Sequence, residues 1–287
     1  MADELDVTVV VPVRNEEKNL PECLRRLKDF KHILVVDSNS QDATRSIAEE
    51  HGATVLNFAW DGRFPKKRNW ALRNHRFESS WVFFLDADEY IDQSFVDELK
   101  RVLPSTPHVG FWITYQNWFL GRRLDHGEAN RKLALFKVGA GEYEKIDEDI
   151  WSHLDMEVHE HPVLNGTTGD INARVDHHDY RGYDHWLKKH NDYSSWEAHR
   201  LQRLRAEGAL DSDRLTDRQK TKYKNIGKWW LPAAYFLATY VGKSGYKDGY
   251  EGFVFAMSKG IYFWQVGVKT AELEMQNHSK NHEHLER

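Results

Sequence analysis

The fold of this chain is decided by the segment Trp81-Val82-Phe83-Phe84-Leu85-Asp86-Ala87-Asp88. Its first five residues are apolar or aromatic, which predicts a buried strand. Two carboxylates follow it, separated by one small residue. Charges at the mouth of an apolar strand are costly unless they are neutralised, and carboxylate oxygens suit hard cations such as Mg²⁺ or Mn²⁺. The alternative is an acidic turn that merely follows a strand, so the rest of the chain must decide between them.

Composition narrows the class of protein. A chain of 287 residues can form one large domain or a domain with an appendage. The formal net charge of −5 argues against binding nucleic acid through a basic surface, so no nucleic-acid partner is expected. The single cysteine, Cys23, excludes a disulfide framework and favours a reducing compartment, the cytoplasm. The acidic first residues lack the pattern of a secretion signal.

Two periodicities alternate over the first hundred residues. Apolar and β-branched runs predict strands, and apolar residues at three- and four-residue spacing predict helices of about ten residues. The predicted strands are 7–13, 33–36, 53–58 and 81–85, and the predicted helices are 20–27, 43–51, 66–76 and 92–103. This alternation is typical of βαβ units, in which parallel strands form a sheet with helices on both faces.

The pattern changes after residue 105. Residues 110–115 and 132–137 are predicted to be strands of a less regular, mixed sheet. Residues 150–183 are rich in His, Asp and Glu and show little periodicity, and a helical region follows over 183–205. We therefore expect an α/β fold with a mixed, mainly parallel central sheet flanked by helices, and a helical, aromatic-rich C-terminal region.

Further polar groups accompany the predicted strand ends. Asp37 ends the second strand, where it could accept hydrogen bonds from a ligand or cap the next helix. Lys66-Lys67-Arg68-Asn69 opens a helix, where it could bind phosphate or form a solvated charged face. The two common glycine-rich phosphate loops are absent from the sequence, so the phosphates of a nucleotide would depend on a metal and on side chains.

Four segments, taken in order, closely resemble the N-terminal half of the family 2 glycosyltransferases, which have the GT-A fold. They are Val9-Val10-Val11-Pro12-Val13-Arg14-Asn15-Glu16-Glu17, Val35-Val36-Asp37-Ser38-Asn39-Ser40-Gln41-Asp42-Ala43-Thr44, Lys67-Arg68-Asn69 and Leu85-Asp86-Ala87-Asp88. One departure is Ser38, which stands where the family usually has a second Asp. A weaker likeness over 131–136, 158–160 and 177–193 resembles the branch of lipopolysaccharide-core β-glucosyltransferases.

The resemblance implies an inverting, metal-dependent hexosyltransferase that moves a sugar from a nucleotide donor, usually a UDP-sugar, to an acceptor hydroxyl. Its cofactor would be Mn²⁺ or Mg²⁺, bound by a DxD motif. The residues implied for the donor are Pro12, Arg14 and Glu16 around the nucleoside, Asp37 at the uracil, Lys67 and Arg68 at the base or diphosphate, and Asp86 with Ala87 at the ribose. Asp88 would bind the cation, and Asp86 is a second candidate ligand.

Inversion in a single displacement needs one base, and three downstream carboxylates lie close together: Asp155, Glu157 and Glu160. Glu160 is preferred because Val158-His159-Glu160 resembles a pair in the core-glucosyltransferase branch, and Glu157 is the second candidate. We expect His177 to complete the metal shell. An alternative is a zinc site among His153, His159, His161, His177 and His178, although the H-E-x-x-H spacing is absent.

The late part of the chain carries two apolar, aromatic stretches. Residues 229–241 span 13 positions, short of the ~20 that cross a bilayer, and lysines flank them. Residues 252–264 have the same character. We expect peripheral contact with the cytoplasmic face of the inner membrane; the alternatives are packing on the catalytic domain or homo-oligomerisation.

These expectations give a domain plan and a function. A GT-A catalytic domain would occupy 1–182, with a donor half (1–105) and an acceptor and metal half (106–182), and 183–287 would form the membrane or subunit contact. The acceptor would be a glycan or a lipid-linked molecule in bacterial lipopolysaccharide or surface polysaccharide synthesis. The alternatives are a sugar nucleotidyltransferase and an inactive glycosyltransferase-like scaffold.

Overall fold

The computed structural model describes residues 4–146, 148, 151–157, 160–212 and 215–285, with side chains up to residue 277. Two compact units account for these residues. The first comprises 4–123 with 129–181, and the second comprises 124–128 with the residues from 182 onward. Val158 and His159, two residues of the weaker resemblance, lie outside the described part.

The first unit is built on a central sheet with helices on its faces. Its helices are α1 (Leu20–Arg25), α2 (Thr44–Glu50), α3 (Lys67–Asn74) and α4 (Gln93–Val102). Its strands are β1 (Leu5–Val13), β2 (Phe30–Asp37), β3 (Thr54–Asn57), β4 (Trp81–Phe84), β5 (Glu89–Tyr90), β6 (Gly110–Phe119), β7 (Arg122–Arg123), β8 (Asn130–Lys137), β9 (Gly141–Tyr143), β10 (Pro162–Leu164) and β11 (Thr168–His177).

Strand order explains where a ligand can bind. The main path of the sheet is β3-β2-β1-β4-β8-β6-β11-β5, with β7 beside β6 and a separate β9–β10 pair. β1 pairs in parallel with β2 on one side and with β4 on the other. The chain therefore reverses its direction of travel across the sheet at β1, and the crevice beyond the carboxyl ends of β1 and β4 is the topological switch point where such sheets bind ligands.

β1 is buried on both faces, as its unbroken apolar sequence predicts. Val9 and Val11 belong to one apolar cluster with Leu20 and Leu27, which come from α1 and the turn after it. Val10 points the other way, into a second cluster with Ala71 of α3. Alternate side chains of a strand point to opposite faces, so both clusters require a covered sheet. The expected mixed, mainly parallel sheet flanked by helices is confirmed.

The second unit is helical. It contains α5 (Tyr183–Ala206), α6 (Asp217–Asn225), α7 (Leu231–Leu237) with a π-helical turn over Ala238–Gly242, and α8 (Gly249–Leu285). Leu201, Leu204, Tyr223, Ile226 and Val266 form its apolar core. The segment 124–128 is held by buried Asp248, whose carboxylate accepts backbone N–H groups of Asp125 and His126 at 3.2 and 2.9 Å.

α7 and α8 are joined by a tight turn in which backbones touch. A Cβ on Gly252 would lie 2.1 Å from the carbonyl oxygen of Gly245, and a Cβ on Gly260 would lie 3.1 Å from that of Pro232. Only glycine fits the approach at Gly252, and the approach at Gly260 leaves little room for a side chain, so α7 and α8 pack closely. No helix in the described part of the chain is long and apolar enough to cross a bilayer.

Candidate active site

The carboxyl ends of β1, β2 and β4 bring the predicted site residues to one edge of the sheet. β1 ends at Val13, β2 at Asp37, and β4 is followed within four residues by Asp86, Ala87 and Asp88. Asp88 is only 3% exposed, and Ala87 is buried beside it. The sequence placed this edge correctly, but several side chains there have partners that it did not predict.

Asp86 is held by two cations. Its Oδ1 lies 2.6 Å from Arg68 Nη2, and its Oδ2 lies 2.8 Å from Lys132 Nζ. Burial opposes ionisation, but the ion pairs with Lys132 and Arg68 outweigh it and hold the pKa of Asp86 well below its usual range. Asp86 was predicted to contact the ribose or the metal. In the structure each of its carboxylate oxygens has a cationic partner within the chain, and its contact with the ribose or the metal stays a prediction.

Lys132 and Glu89 complete this cluster, and the sequence analysis singled out neither. β4 and β8 are antiparallel with Trp81 opposite Lys137, and continuing that register places Lys132 opposite Asp86. Lys132 pairs with Glu89 as well as Asp86 and lies over the ring of Tyr115. Burial raises the pKa of Glu89 to about 7, even though Lys132 lowers it. The sequence feature that could have indicated this role of Lys132 is its position as a charged residue at the start of the predicted strand 132–137.

Asp88 faces His177. The Nε2 atom of His177 lies 3.4 Å from Asp88 Oδ2. This juxtaposition follows from β11, which pairs with β5 so that His177 is opposite Glu89, the residue after Asp88. The next residue, His178, donates its backbone N–H to the carbonyl oxygen of Asp88 at 2.8 Å.

Asp88 and His177 have the chemistry of a ligand pair for a divalent cation. Carboxylate oxygen and imidazole nitrogen suit Mn²⁺, and Mg²⁺ in phosphate sites commonly has one or two protein carboxylates with waters and phosphate oxygens as its other ligands. Among the described residues no three His, Cys, Asp or Glu side chains are arranged to hold a metal ion. The residues present therefore fit a cation shared with a phosphate-bearing substrate better than one enclosed entirely by protein.

Arg181 lies beside this pair and was also missed. Its guanidinium contacts Glu16 at 2.6 Å and Asp179 at 2.7 Å, and its Nη2 is 3.7 Å from Asp88 Oδ2. Burial opposes the charge of Arg181, but Asp179 and Glu16 outweigh it and raise the pKa of the guanidinium. Arg181 follows His177 by four residues, in a segment where the absence of periodicity gave no indication of which side chains turn inward.

The loop after β1 is bound to the loop after β2. The backbone N–H of Glu16 donates to Thr44 Oγ1 at 2.7 Å, and the Oδ1 of Asn15 accepts the backbone N–H of Gln41 at 2.8 Å. Asn15 has a φ of 55°, a left-handed conformation that Asn tolerates better than most residues. Pro12 is buried at the base of this loop and Arg14 is exposed on it.

Asp37 has a local partner. Its Oδ1 accepts hydrogen bonds from the backbone N–H of Ser40 at 3.1 Å and from Ser40 Oγ at 2.5 Å. This Asx-type turn orients a carboxylate that is only 3% exposed. In the alternative, Asp37 would cap the next helix. Its hydrogen bonds go to Ser40, four residues before α2 begins, so Asp37 orders the loop before α2 and does not cap the helix itself.

The first turn of α3 joins several parts of the site. Lys66, Lys67 and Arg68 are 3%, 2% and 8% exposed, so the solvated-face alternative is wrong for them. Lys67 Nζ donates to the carbonyl oxygen of Val13 at 3.0 Å, and Arg68 reaches Asp86. Lys67 and Arg68 were expected to contact the donor. In the structure both have partners within the chain, because buried charges need partners, and their contact with the donor stays a prediction.

Glu157 and Glu160 occupy different environments. Glu157 accepts the backbone N–H groups of Arg68 and Asn69 at 2.8 and 3.0 Å, which caps the N-terminus of α3. Burial raises the pKa of Glu157 despite these bonds. Glu160 Oε1 accepts from Lys66 Nζ at 2.9 Å, and Lys66 also pairs with Glu148. Glu157 therefore caps α3, and its role as the second candidate base stays a prediction.

Glu160 and Glu157 both line a small pocket. Two aromatic residues, Trp60 and Phe64, share its wall with Arg63 and Lys66. Lys66 is two residues before Arg68, the partner of Asp86, so the start of α3 links the pocket to the Asp86 cluster.

Comparisons with known proteins identify the family of the chain. Residues 8–150 match Glycosyl transferase family 2. The lipopolysaccharide core biosynthesis glycosyltransferase LpsC of Rhizobium meliloti (strain 1021) is 25% identical over 283 residues, which covers 94% of this chain and 93% of that protein. These matches define the class of protein, a glycosyltransferase. The chain belongs to glycosyl transferase family 2.

Two solved structures show partial similarity to this chain. TarS 1–349 of S. aureus is 15% identical with a TM-score of 0.45, over 93% of this chain and 91% of that one. Glucosyl-3-phosphoglycerate synthase from Mycobacterium tuberculosis, in complex with Mn²⁺, UDP and glucosyl-3-phosphoglycerate, is 21% identical with a TM-score of 0.30, over 40% of this chain and 44% of that one.

Proposed function

We propose that this glycosyltransferase is inverting and metal-dependent, and that it moves a sugar from a nucleotide-sugar, a UDP-sugar, to a hydroxyl of a glycan or lipid-linked acceptor. The observation that carries this proposal is the 3.4 Å approach of His177 to Asp88 at the switch point of the sheet. A sugar donor with a diphosphate brings negative charge to that crevice, and a carboxylate–imidazole pair suits the cation that would accompany it.

Asp88 and His177 would hold Mn²⁺ or Mg²⁺ together with the diphosphate of the donor. When bound, the cation would offset the negative charge that develops on the diphosphate as the glycosidic bond breaks. Asp86 contributes indirectly, because its pairs with Arg68 and Lys132 fix the backbone that carries Ala87 and Asp88. We assign Lys67 the same positioning task at the end of β1 through its bond to Val13.

The donor nucleoside would bind between the loops that follow β1 and β2. Pro12 is near the end of β1, Arg14 and Glu16 lie on the loop after it, and Asp37 is the last residue of β2. The bonds between the loops order them before any ligand arrives, which lowers the entropy cost of binding. Arg181 is placed to meet the diphosphate, because it links Glu16 of this pocket to the neighbourhood of Asp88.

Glu160 is the proposed base. The acceptor oxygen would attack the anomeric carbon from the face opposite the diphosphate, forming the new C–O bond while the bond to the diphosphate oxygen breaks. The hydroxyl proton would pass to the Glu160 carboxylate, and the bond's electron pair would leave with the nucleoside diphosphate. Lys66 Nζ lies 2.9 Å from Glu160 Oε1 and would hold this carboxylate in position for the step.

The biological acceptor is proposed from the full-length similarity to a protein named for lipopolysaccharide core biosynthesis. We infer a bacterial surface glycan or its lipid-linked precursor as the acceptor class. Such an acceptor places the enzyme on the cytoplasmic face of the inner membrane, in peripheral contact with lipid.

A thermal-shift screen of nucleotide-sugars, with and without Mn²⁺, tests the proposal. We expect one UDP-sugar to raise the unfolding temperature only when Mn²⁺ is present. An Asp88→Asn variant should lose this response, whereas Asp97→Asn, which changes an exposed carboxylate on α4, should retain it. Stabilisation by the same donor in excess chelator would contradict the metal role, and no response to any nucleotide-sugar would contradict the donor class.

A further inference from the structure

The second unit presents an apolar surface that its own core does not use. On α7 and the turn after it, the exposed residues Ala233, Ala234, Leu237, Ala238 and Val241 are all apolar. Leu237 and Val241 are 56% and 58% exposed. Extended apolar surface of this kind marks an interaction site on a soluble protein.

α8 continues this surface. Its exposed apolar side chains recur at three- and four-residue spacing, which aligns them along one side of the helix: Tyr250, Phe253, Met257, Ile261, Trp264 and Val268. The two rows adjoin where the rings of Phe236 and Tyr240 contact the ring of Phe253, with centroids 5.8 and 5.6 Å apart. We call these two rows the hairpin face.

The charges around the hairpin face have one predominant sign. Residues 228–270 contain five lysines and two acidic residues, in a chain whose net charge is −5. One of the two acids, Asp248, is 3% exposed and is engaged by the 124–128 segment. Lys228, Lys243 and Lys247 are exposed at the two ends of α7. An apolar face bordered by lysines complements a surface that is apolar inside and anionic at its rim.

We propose that the hairpin face binds the headgroup zone of an anionic lipid bilayer. The proposal deepens the membrane contact in the proposed function and rests on it. Trp230, Tyr246 and Tyr250 are exposed at its border, and such amphipathic rings favour the membrane interface. A second copy of the chain fits less well, because a twofold interface through this face would bring the same lysines together.

Flotation with vesicles tests the proposal. The full chain should float with vesicles of equimolar phosphatidylcholine and phosphatidylglycerol, and at least tenfold less with phosphatidylcholine alone. Lys247→Ala should weaken binding to the anionic vesicles roughly fivefold, since a lysine near such a surface contributes about 1 kcal/mol. Lys188→Ala, which removes an exposed lysine of α5 paired with Asp184, is the matched control and should bind normally.

The apolar contribution needs its own variants. Leu237→Gln with Val241→Gln should reduce vesicle binding more than tenfold, because each side chain contributes up to a few kcal/mol when removed from water. Val163→Gln is the control, since Val163 is 63% exposed on β10 of the first unit. A fluorophore on Leu237→Cys should become brighter with anionic vesicles and one on Val163→Cys should not; the native Cys23 is buried and will not compete.

Three outcomes overturn the proposal: no flotation with anionic vesicles, flotation unchanged in the Leu237/Val241 double variant, or a concentration-dependent dimer that the double variant abolishes. The last would assign the hairpin face to a second copy. Hydrolysis of the donor without vesicles separates this test from the proposed function. The double variant should hydrolyse donor like the wild type, whereas an inactive wild type would contradict the enzyme proposal whatever the vesicles show.

Discussion

We call the carboxyl ends of β1, β2 and β4, with the residues that follow them, the donor edge. The donor edge of the first unit buries charged groups, whereas the hairpin face of the second unit exposes apolar groups, and both arrangements are costly unless a partner compensates. At the donor edge, charges are buried and matched: Asp86 has Arg68 and Lys132, and Arg181 has Glu16 and Asp179. On the hairpin face, apolar side chains are exposed although the helices beneath them are closely packed. The first arrangement fixes a polar site before its ligand arrives, and the second leaves area for a partner to cover.

The comparison separates roles that look alike in the sequence. Asp86 and Asp88 are two residues apart, yet Asp86 is clamped by cations of the chain and Asp88 meets a histidine. In the same way Trp264 at 59% exposure and Trp196 at 3% both lie on helices of the second unit. Asp86 differs from Asp88, and Trp264 from Trp196, in the neighbouring groups that the fold supplies. Each prediction below therefore changes one side chain and asks what its neighbours contribute.

The largest effect is expected for Asp88→Ala. If Asp88 holds the cation, turnover should fall by about three orders of magnitude, because a metal contributes several kcal/mol of charge stabilisation in such reactions. Initial rates at saturating Mn²⁺ and donor measure this loss, with circular dichroism to show that the fold is kept. Asp97→Ala, on an exposed face of α4, is the control. A rate near that of the wild type would remove Asp88 from the metal site.

The second prediction distinguishes Glu157 from Glu160. Glu160→Gln should reduce transfer by roughly two orders of magnitude while UDP still binds, since a positioned base contributes at least about that factor. Glu157→Gln should instead lower the free energy of unfolding by about 1–3 kcal/mol, because it weakens the cap on Arg68 and Asn69. Calorimetric UDP titration and urea unfolding of both variants provide the measurements. The reverse assignment of effects would make Glu157 the base.

Much of the donor edge could be predicted because it depends on local sequence. Apolar runs that end in Asp37 and Asp86 identify parallel strands, and parallel strands place their carboxyl ends together. The Glycosyl transferase family 2 match confirms the family suggested by the four segments. Asp92 caps α4 through the backbone N–H of Phe95, as its position before the helix predicts.

The missed residues depend on pairing between distant segments. In β11, apolar Ile171, Ala173 and Val175 alternate with polar residues, which is the pattern of a half-buried strand, so the sequence carried a signal for β11 that the predictions above overlooked. Without that strand, nothing places His177 beside Asp88 or Arg181 beside Glu16. Lys132 was overlooked for a related reason, because its role follows from the antiparallel register of β4 and β8. The ion pairs of Lys67 and Arg68 likewise need the fold to be known.

The third prediction tests how far the donor edge depends on matched charge. Arg68→Ala should lower the free energy of unfolding by about 3–5 kcal/mol, because it removes one partner of a buried ion pair and leaves Asp86 undercompensated. Arg73→Ala is the control on the same helix, where an exposed pair with Glu142 should contribute less than about 1 kcal/mol. Equal decreases in the free energy of unfolding in the two variants would mean that the Arg68–Asp86 pair stabilises the protein no more than a surface ion pair does.

The smallest effect is expected on the hairpin face. If Leu237 is exposed in the free protein, Leu237→Gln should change the free energy of unfolding by no more than about 0.5 kcal/mol, as exposed substitutions usually do. Leu201→Ala, in the core of the same unit, should lower it by about 2–5 kcal/mol. Urea unfolding at low protein concentration, without lipid, measures both. A loss of 2 kcal/mol or more in Leu237→Gln would show that this face is already covered in the free protein. In that case the contrast with the donor edge would disappear, because the costly groups of both regions would then have partners within the free protein.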